Sequence, residues 1–72
     1  MTERAHDGFH VGVVTAFEPD VGLGTVTDDA GTEYPFHCIE IADGSREIAV
    51  GTAVGFDVIP KLGRWEAARL RP

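Results

Sequence analysis

Residues 10–28 of this chain read HVGVVTAFEPDVGLGTVTD, and this stretch decides the fold class. Two runs rich in β-branched residues, 10–17 and 23–27, flank a turn in which Pro19 fixes the backbone φ angle. Short runs of this kind, bounded by Gly, Pro and Asp, are typical of β-strands joined by tight connections. The stretch therefore predicts two neighbouring strands at the start of the domain.

Three further strand-like runs follow, at residues 33–37, 53–59 and 64–70. Pro35 in the first of them cannot donate a ladder hydrogen bond, so its nitrogen is expected to face an unpaired side or a bulge. The segment 38–51 is predicted to be mostly irregular. Five strands without an amphipathic helix favour an all-β, five-stranded antiparallel barrel, because closure removes the sheet edges that promote aggregation.

The length and the polar start of the chain set its expected domain boundaries. Its 72 residues suffice for one small domain. Residues 1–8 are expected to form a flexible arm, and residues 9–72 the domain. Within the domain, the fourth run alternates with period two, and one face is predicted to carry Val54, Phe56 and Val58.

The charge balance excludes one class of partner and disfavours another. Twelve acidic and six basic residues give a formal net charge of −6, which excludes a generic basic nucleic-acid clamp and disfavours adhesion to anionic membranes. No apolar run approaches the roughly 20 residues of a spanning helix, and the start lacks the apolar segment of a secretory signal. A single Cys fits a reducing compartment, so we expect a cytoplasmic protein without a membrane partner.

Catalytic motifs are missing from the sequence. It contains no nucleophile elbow, no phosphate-binding glycine loop with its Lys, and no His-Glu-x-x-His. His6, Asp7 and His10 could be imagined as metal ligands, but no second cluster matches them, and Asp28-Asp29 lacks the oxygen-rich loop that calcium needs. The sequence therefore predicts a binding module that is not an enzyme and uses no metal, no cofactor and no small-molecule substrate.

The order of these runs resembles the cold-shock domain, the OB-fold barrel of bacterial cold-shock proteins. The resemblance covers residues 10–71 and needs no gap between Gly12 and Ile41; its matching segments are 12–17, 22–26, 34–37, 51–58 and 66–70. The family binds single-stranded RNA and DNA by stacking bases on aromatic rings, with Lys side chains at the phosphates. The resemblance therefore implies an OB-fold and a single-stranded nucleic-acid partner.

The family's binding residues are mostly replaced in this chain. Its Lys-Trp-Phe is Thr-Ala-Phe at 15–17, its Lys-Gly-Phe-Gly-Phe is Val-Gly-Leu-Gly-Thr at 21–25, and its Phe-Val-His-Phe is Pro-Phe-His-Cys at 35–38. Of the family's binding groups, the Phe17 ring and the His37 imidazole remain. Phe36 falls at an inward-facing position and is expected in the core. The resemblance thus implies weak binding with little sequence preference.

Alternation along the second and third strands predicts an outer platform. The candidate nucleic-acid contacts are Phe17, Leu23, Thr25, Pro35, His37, Arg64 and Trp65. Phe17 is either a surviving stacking ring or a lid on one end of the barrel, and strict alternation groups it with Val13 and Thr15. Trp65 either supplies a relocated ring, with Arg64 and Lys61 at the phosphates, or packs against the barrel end.

A second hypothesis belongs to another functional class. Small apolar groups in place of rings and lysines are also expected where a barrel has been repurposed for protein contacts. The platform of Leu23, Thr25, Pro35 and Cys38 would then meet a protein partner or a second copy of the chain, forming a homodimer. Cys38 by itself is interpreted as a small apolar filler.

Overall fold

The computed structural model describes residues 8–61 and 63–72. The elements in chain order are β1 (Gly8–Glu18), β2 (Leu23–Asp28), β3 (Glu33–His37), a 3₁₀ turn (Cys38–Glu40), β4 (Ala53–Lys61) and β5 (Arg64–Arg71). All paired strands are antiparallel, in the order β3-β2-β1-β4-β5. This confirms the predicted all-β, five-stranded antiparallel sheet. The arm predicted at 1–8 lies outside the described residues except for Gly8, which begins β1.

The two edge strands, β3 and β5, approach each other. An isolated parallel bridge joins Ile41 to Leu70, and the Ala42 N–H donates to the Leu70 carbonyl over 2.8 Å. The Arg69 N–H donates to Oε1 of Glu40 over 3.1 Å. Among residues 8–61 and 63–72 these links are not extended into a β3–β5 strand pair, so closure into an OB-fold barrel stays a prediction.

One hydrophobic core fills the concave side of the curved sheet. Phe36 is 1% exposed, as its predicted inward position requires. The alternation predicted for the fourth run is also confirmed. The core residues are Val14, Val26, Tyr34, Phe36, Ile41, Val54, Phe56, Val58, Ala67 and Leu70.

A bulge in β1 reverses the alternation of its side chains. Val14 pairs with Val26, but Ala16 pairs with Thr25, so Thr15 is an extra residue. Such an insertion moves every later side chain to the opposite face. The strict alternation predicted for Phe17 is therefore wrong.

Because the alternation of side chains is reversed after the bulge, Phe17 faces inward. Phe17 opposes Gly24, and its ring stacks on Phe36 with centroids 6.1 Å apart and an interplanar angle of 8°. A Cβ atom at Gly24 would collide with the Phe36 ring, so this ring pair depends on a glycine. Phe17 packs against the core as a lid.

Candidate functional site

The outer face of β2 and β3 carries the predicted platform. Leu23 pairs with His37, and Thr25 pairs with Pro35. His37 and Leu23 are exposed, whereas Pro35 and Thr25 are half-buried. The cross-strand pairing thus brings these four side chains onto one surface, opposite the buried face of the same strands.

Arg64 joins this platform from the far edge of the sheet. A small cavity of about 60 Å³ opens where β3 and β5 approach each other. We call it the seam groove; its lining is Leu23, Gly24, Pro35, Phe36, His37, Arg64 and Glu66. The fold therefore adds a cation to a surface that β2 and β3 leave without one.

A buried carboxylate holds the Arg64 side chain. Nε of Arg64 donates to Oε2 of Glu66 over 3.3 Å. The Arg64 side chain is 66% exposed, whereas that of Glu66 is 9% exposed. This long hydrogen bond between opposite charges orients the guanidinium at the groove and leaves most of it accessible to solvent. Sequence reasoning missed Glu66, although residues two apart on a strand share a face.

Trp65 lies on the other face of β5. The pairing from Lys61↔Arg64 to Val58↔Ala67 is regular, so Trp65 shares its face with Ala67, which is 1% exposed. It lines a separate cavity of about 270 Å³ with Pro60, Gly63 and Arg64. The structure therefore places neither Trp65 nor Phe17 on the platform beside His37.

Positive charge is concentrated at the end of the chain. Residues 61–72 contain four cations and one acid, whereas residues 8–60 contain one cation, Arg46, and nine acids. The hairpin of β4 and β5 is thus a positive region on an acidic molecule. Arg64 is the member of this region that lines the seam groove.

Other polar groups lie away from the groove. The ring of His10 stacks on Phe56 with centroids 5.7 Å apart, and its Nε2 is buried without a hydrogen-bond partner among the described residues. Burial raises the pKa of Tyr34, and the nearby Asp28 carboxylate adds to the effect. Cys38 is a half-buried free thiol that packs against the core, as expected of a small filler.

The parts of the chain that the structure describes hold no cluster of three or more metal-ligating side chains. Two of the weighed ligands, His6 and Asp7, lie outside them. The described residues also include no helix with the length and apolarity to cross a membrane.

No family model and no curated protein sequence matches the chain.

Proposed function

We propose that this chain is a weak, sequence-tolerant binding module for single-stranded RNA or DNA, built on an OB-fold barrel of the cold-shock type. One observation carries the proposal: Arg64 and His37 line the same groove where the edge strands β3 and β5 approach each other. The bridge between Ile41 and Leu70 supports the closure that such a barrel requires.

The groove is suited to a surface contact. Its volume of about 60 Å³ is far below the roughly 300 Å³ or more of a pocket that encloses a small molecule. A base would lie across Pro35 and His37, since an imidazole is one of the rings on which bases stack. The exposed guanidinium of Arg64 would then meet the adjoining phosphate.

Weak affinity follows from what the platform lacks. Each base stacked on an aromatic ring contributes about 1–3 kcal/mol, and this platform offers one imidazole. The net charge of −6 repels phosphates, most strongly at low salt. We expect a Kd of about 10⁻⁴ to 10⁻⁶ M, the range of non-specific binding.

Titration of labelled oligo-dT, followed by fluorescence anisotropy at low and moderate salt, tests the proposal. Arg64→Gln should weaken binding about fivefold and flatten the salt dependence by about 0.7 in log–log slope, the loss of one phosphate contact to a single strand. Arg46→Gln is the matched control, because it removes the same charge from the loop between β3 and β4. A Kd weaker than about 10⁻⁴ M for the unaltered chain would end the proposal.

A further inference from the structure

A row of exposed apolar side chains runs along the first half of β1. Phe9, Val11 and Val13 are 62%, 53% and 40% exposed, and they are successive residues on the outer face of the strand. Ala53, opposite Val13 on β4, is exposed as well. Single exposed apolar residues are ordinary, but a contiguous set is typical of an interaction surface. We call these four residues the β1 stripe.

The Phe9 ring at one end of the stripe rests against the sheet. Phe9 lies across Gly55 of β4, where a Cβ atom would come within 2.5 Å of the ring's Cζ. The guanidinium carbon of Arg71 lies 5.1 Å from the ring centroid. These contacts pre-organise the Phe9 ring against the sheet, which lowers the entropy lost when a partner covers it.

The Phe9 end of the stripe is positive. Arg69 and Arg71 both reach the Asp57 carboxylate, over 2.5 Å and 3.6 Å respectively. Asp57 itself pairs with Phe9 across β1 and β4. Two guanidinium groups against one carboxylate leave one positive charge beside the ring.

The Val13 end of the stripe is negative and concave. Asp28 and Asp29 line a depression of about 310 Å³ together with Val11, Val13 and Ala53. Oδ1 of Asp28 accepts hydrogen bonds from the backbone of the β2–β3 turn. Asp29 is exposed. The depression is therefore apolar at its base and acidic at its rim.

We propose that two copies of the chain associate through their β1 stripes, related by a twofold axis that makes the strands antiparallel. A twofold interface brings each end of the surface against the opposite end of its copy. The Phe9 ring of one copy then meets the apolar depression of the other, and Arg71 faces the second copy's Asp29. This arrangement is complementary in charge, whereas a parallel one would oppose like charges.

The dimer is weak and concentration-dependent. Phe9 and Val13 lie about 13 Å apart along the strand, so the stripe falls short of the roughly 800 Å² per partner of a standard interface. The net charge of −6 on each copy opposes association, and salt screens this repulsion. This surface is separate from the seam groove, so the proposal does not depend on nucleic-acid binding.

Sedimentation analysis from about 10 µM to about 1 mM protein at moderate salt tests the proposal. The unaltered chain should shift from monomer towards dimer across this range. Val11→Glu should remain monomeric, and Val50→Glu should behave as the unaltered chain, because Val50 is at least as exposed as Val11 but lies in the loop before β4. A monomer at every concentration would overturn the proposal.

Charge exchange tests the orientation of the two copies. Arg71→Glu and Asp29→Arg should each weaken self-association at least fivefold, because each places like charges opposite each other. An equimolar mixture of the two variants should associate more tightly than either alone, since the two substituted side chains then face each other with opposite charges and the unaltered Arg71 and Asp29 form the second pair. Absence of this mutual rescue would contradict the antiparallel arrangement, and circular dichroism would verify that both variants fold.

Discussion

The seam groove and the β1 stripe are two outer surfaces of one sheet, and they differ in chemistry. The groove has one imidazole and one cation around a cavity of about 60 Å³. The stripe has four exposed apolar side chains, three of them in a row along β1, with opposite charges at its two ends. The difference indicates that the first surface suits a charged, flexible polymer and the second suits a folded copy of the chain.

Alanine substitutions at two glycines beneath these surfaces should differ most, and the difference lies in the free energy of unfolding. A Cβ atom at Gly24 would collide with the buried Phe36 ring, whereas a Cβ at Gly55 would meet the exposed Phe9 ring. Because Phe36 has no room to move, Gly24→Ala should lower the free energy of unfolding by about 3 kcal/mol. Gly55→Ala should cost less than about 1 kcal/mol, because Phe9 can swing into solvent. Urea denaturation of both variants measures this contrast, and equal losses would contradict it.

Removal of the imidazole tests the groove alone. His37→Ala should weaken oligo-dT binding about fivefold, equivalent to the lower end of one stacking contribution. Self-association should stay unchanged, because His37 lies on β3, away from the stripe. Anisotropy and sedimentation measure the two properties on the same protein. A parallel loss of both would mean that the surfaces are not independent.

Replacement of the buried Glu66 carboxylate, which pairs with Arg64, should strengthen the binding of oligo-dT. Glu66→Gln removes the negative charge that pairs with the Arg64 guanidinium, while it keeps an oxygen acceptor at the same position. Oligo-dT affinity should rise about twofold to threefold, with a greater gain at low salt because the added attraction is electrostatic. An unchanged affinity would argue that Arg64 does not face the phosphate.

Tyr34 lies in the core beneath both surfaces, and its ionisation tests how the stability of this core depends on pH. Its pKa is raised above the ordinary 10.0, chiefly by burial. As pH rises past 10.0, the unfolded chain loses the phenol proton before the folded chain does, so the folded state becomes less stable. Tyr34→Phe should remove this part of the pH dependence, which denaturation at pH values on either side of 10.0 measures.

Much of the fold and the platform could be predicted because both rest on period-two alternation. The alternation of Val54, Phe56 and Val58 needed only the local sequence, as did the outward position of His37. Phe17 could not be placed in this way. The bulge at Thr15 accompanies the packing of Phe17 on Phe36, which is a contact between strands and cannot be read from the local sequence. The sequence did hold one signal of the bulge. Val14 and Phe17 lie three residues apart, whereas two inward residues of an unbulged strand lie an even number apart.

The rest of the candidate site depends on how the sheet curves. Nothing in the local sequence brings Arg64 to Pro35 and His37, because β3 and β5 are the outermost strands of the sheet order. Their approach follows from sheet curvature and from the link between Ile41 and Leu70. The charge pattern of the β1 stripe likewise needed the register that sets Asp57 beside Phe9.

The separation of the two surfaces can be measured directly by amide chemical shifts. Oligo-dT added to dilute protein should shift the amides of Leu23, His37 and Arg64. Concentration of the protein without oligonucleotide should instead shift those of Phe9, Val11 and Val13. Two sets that do not overlap are the predicted result. Oligonucleotide-induced shifts centred on the β1 stripe, with none at the seam groove, would contradict the account.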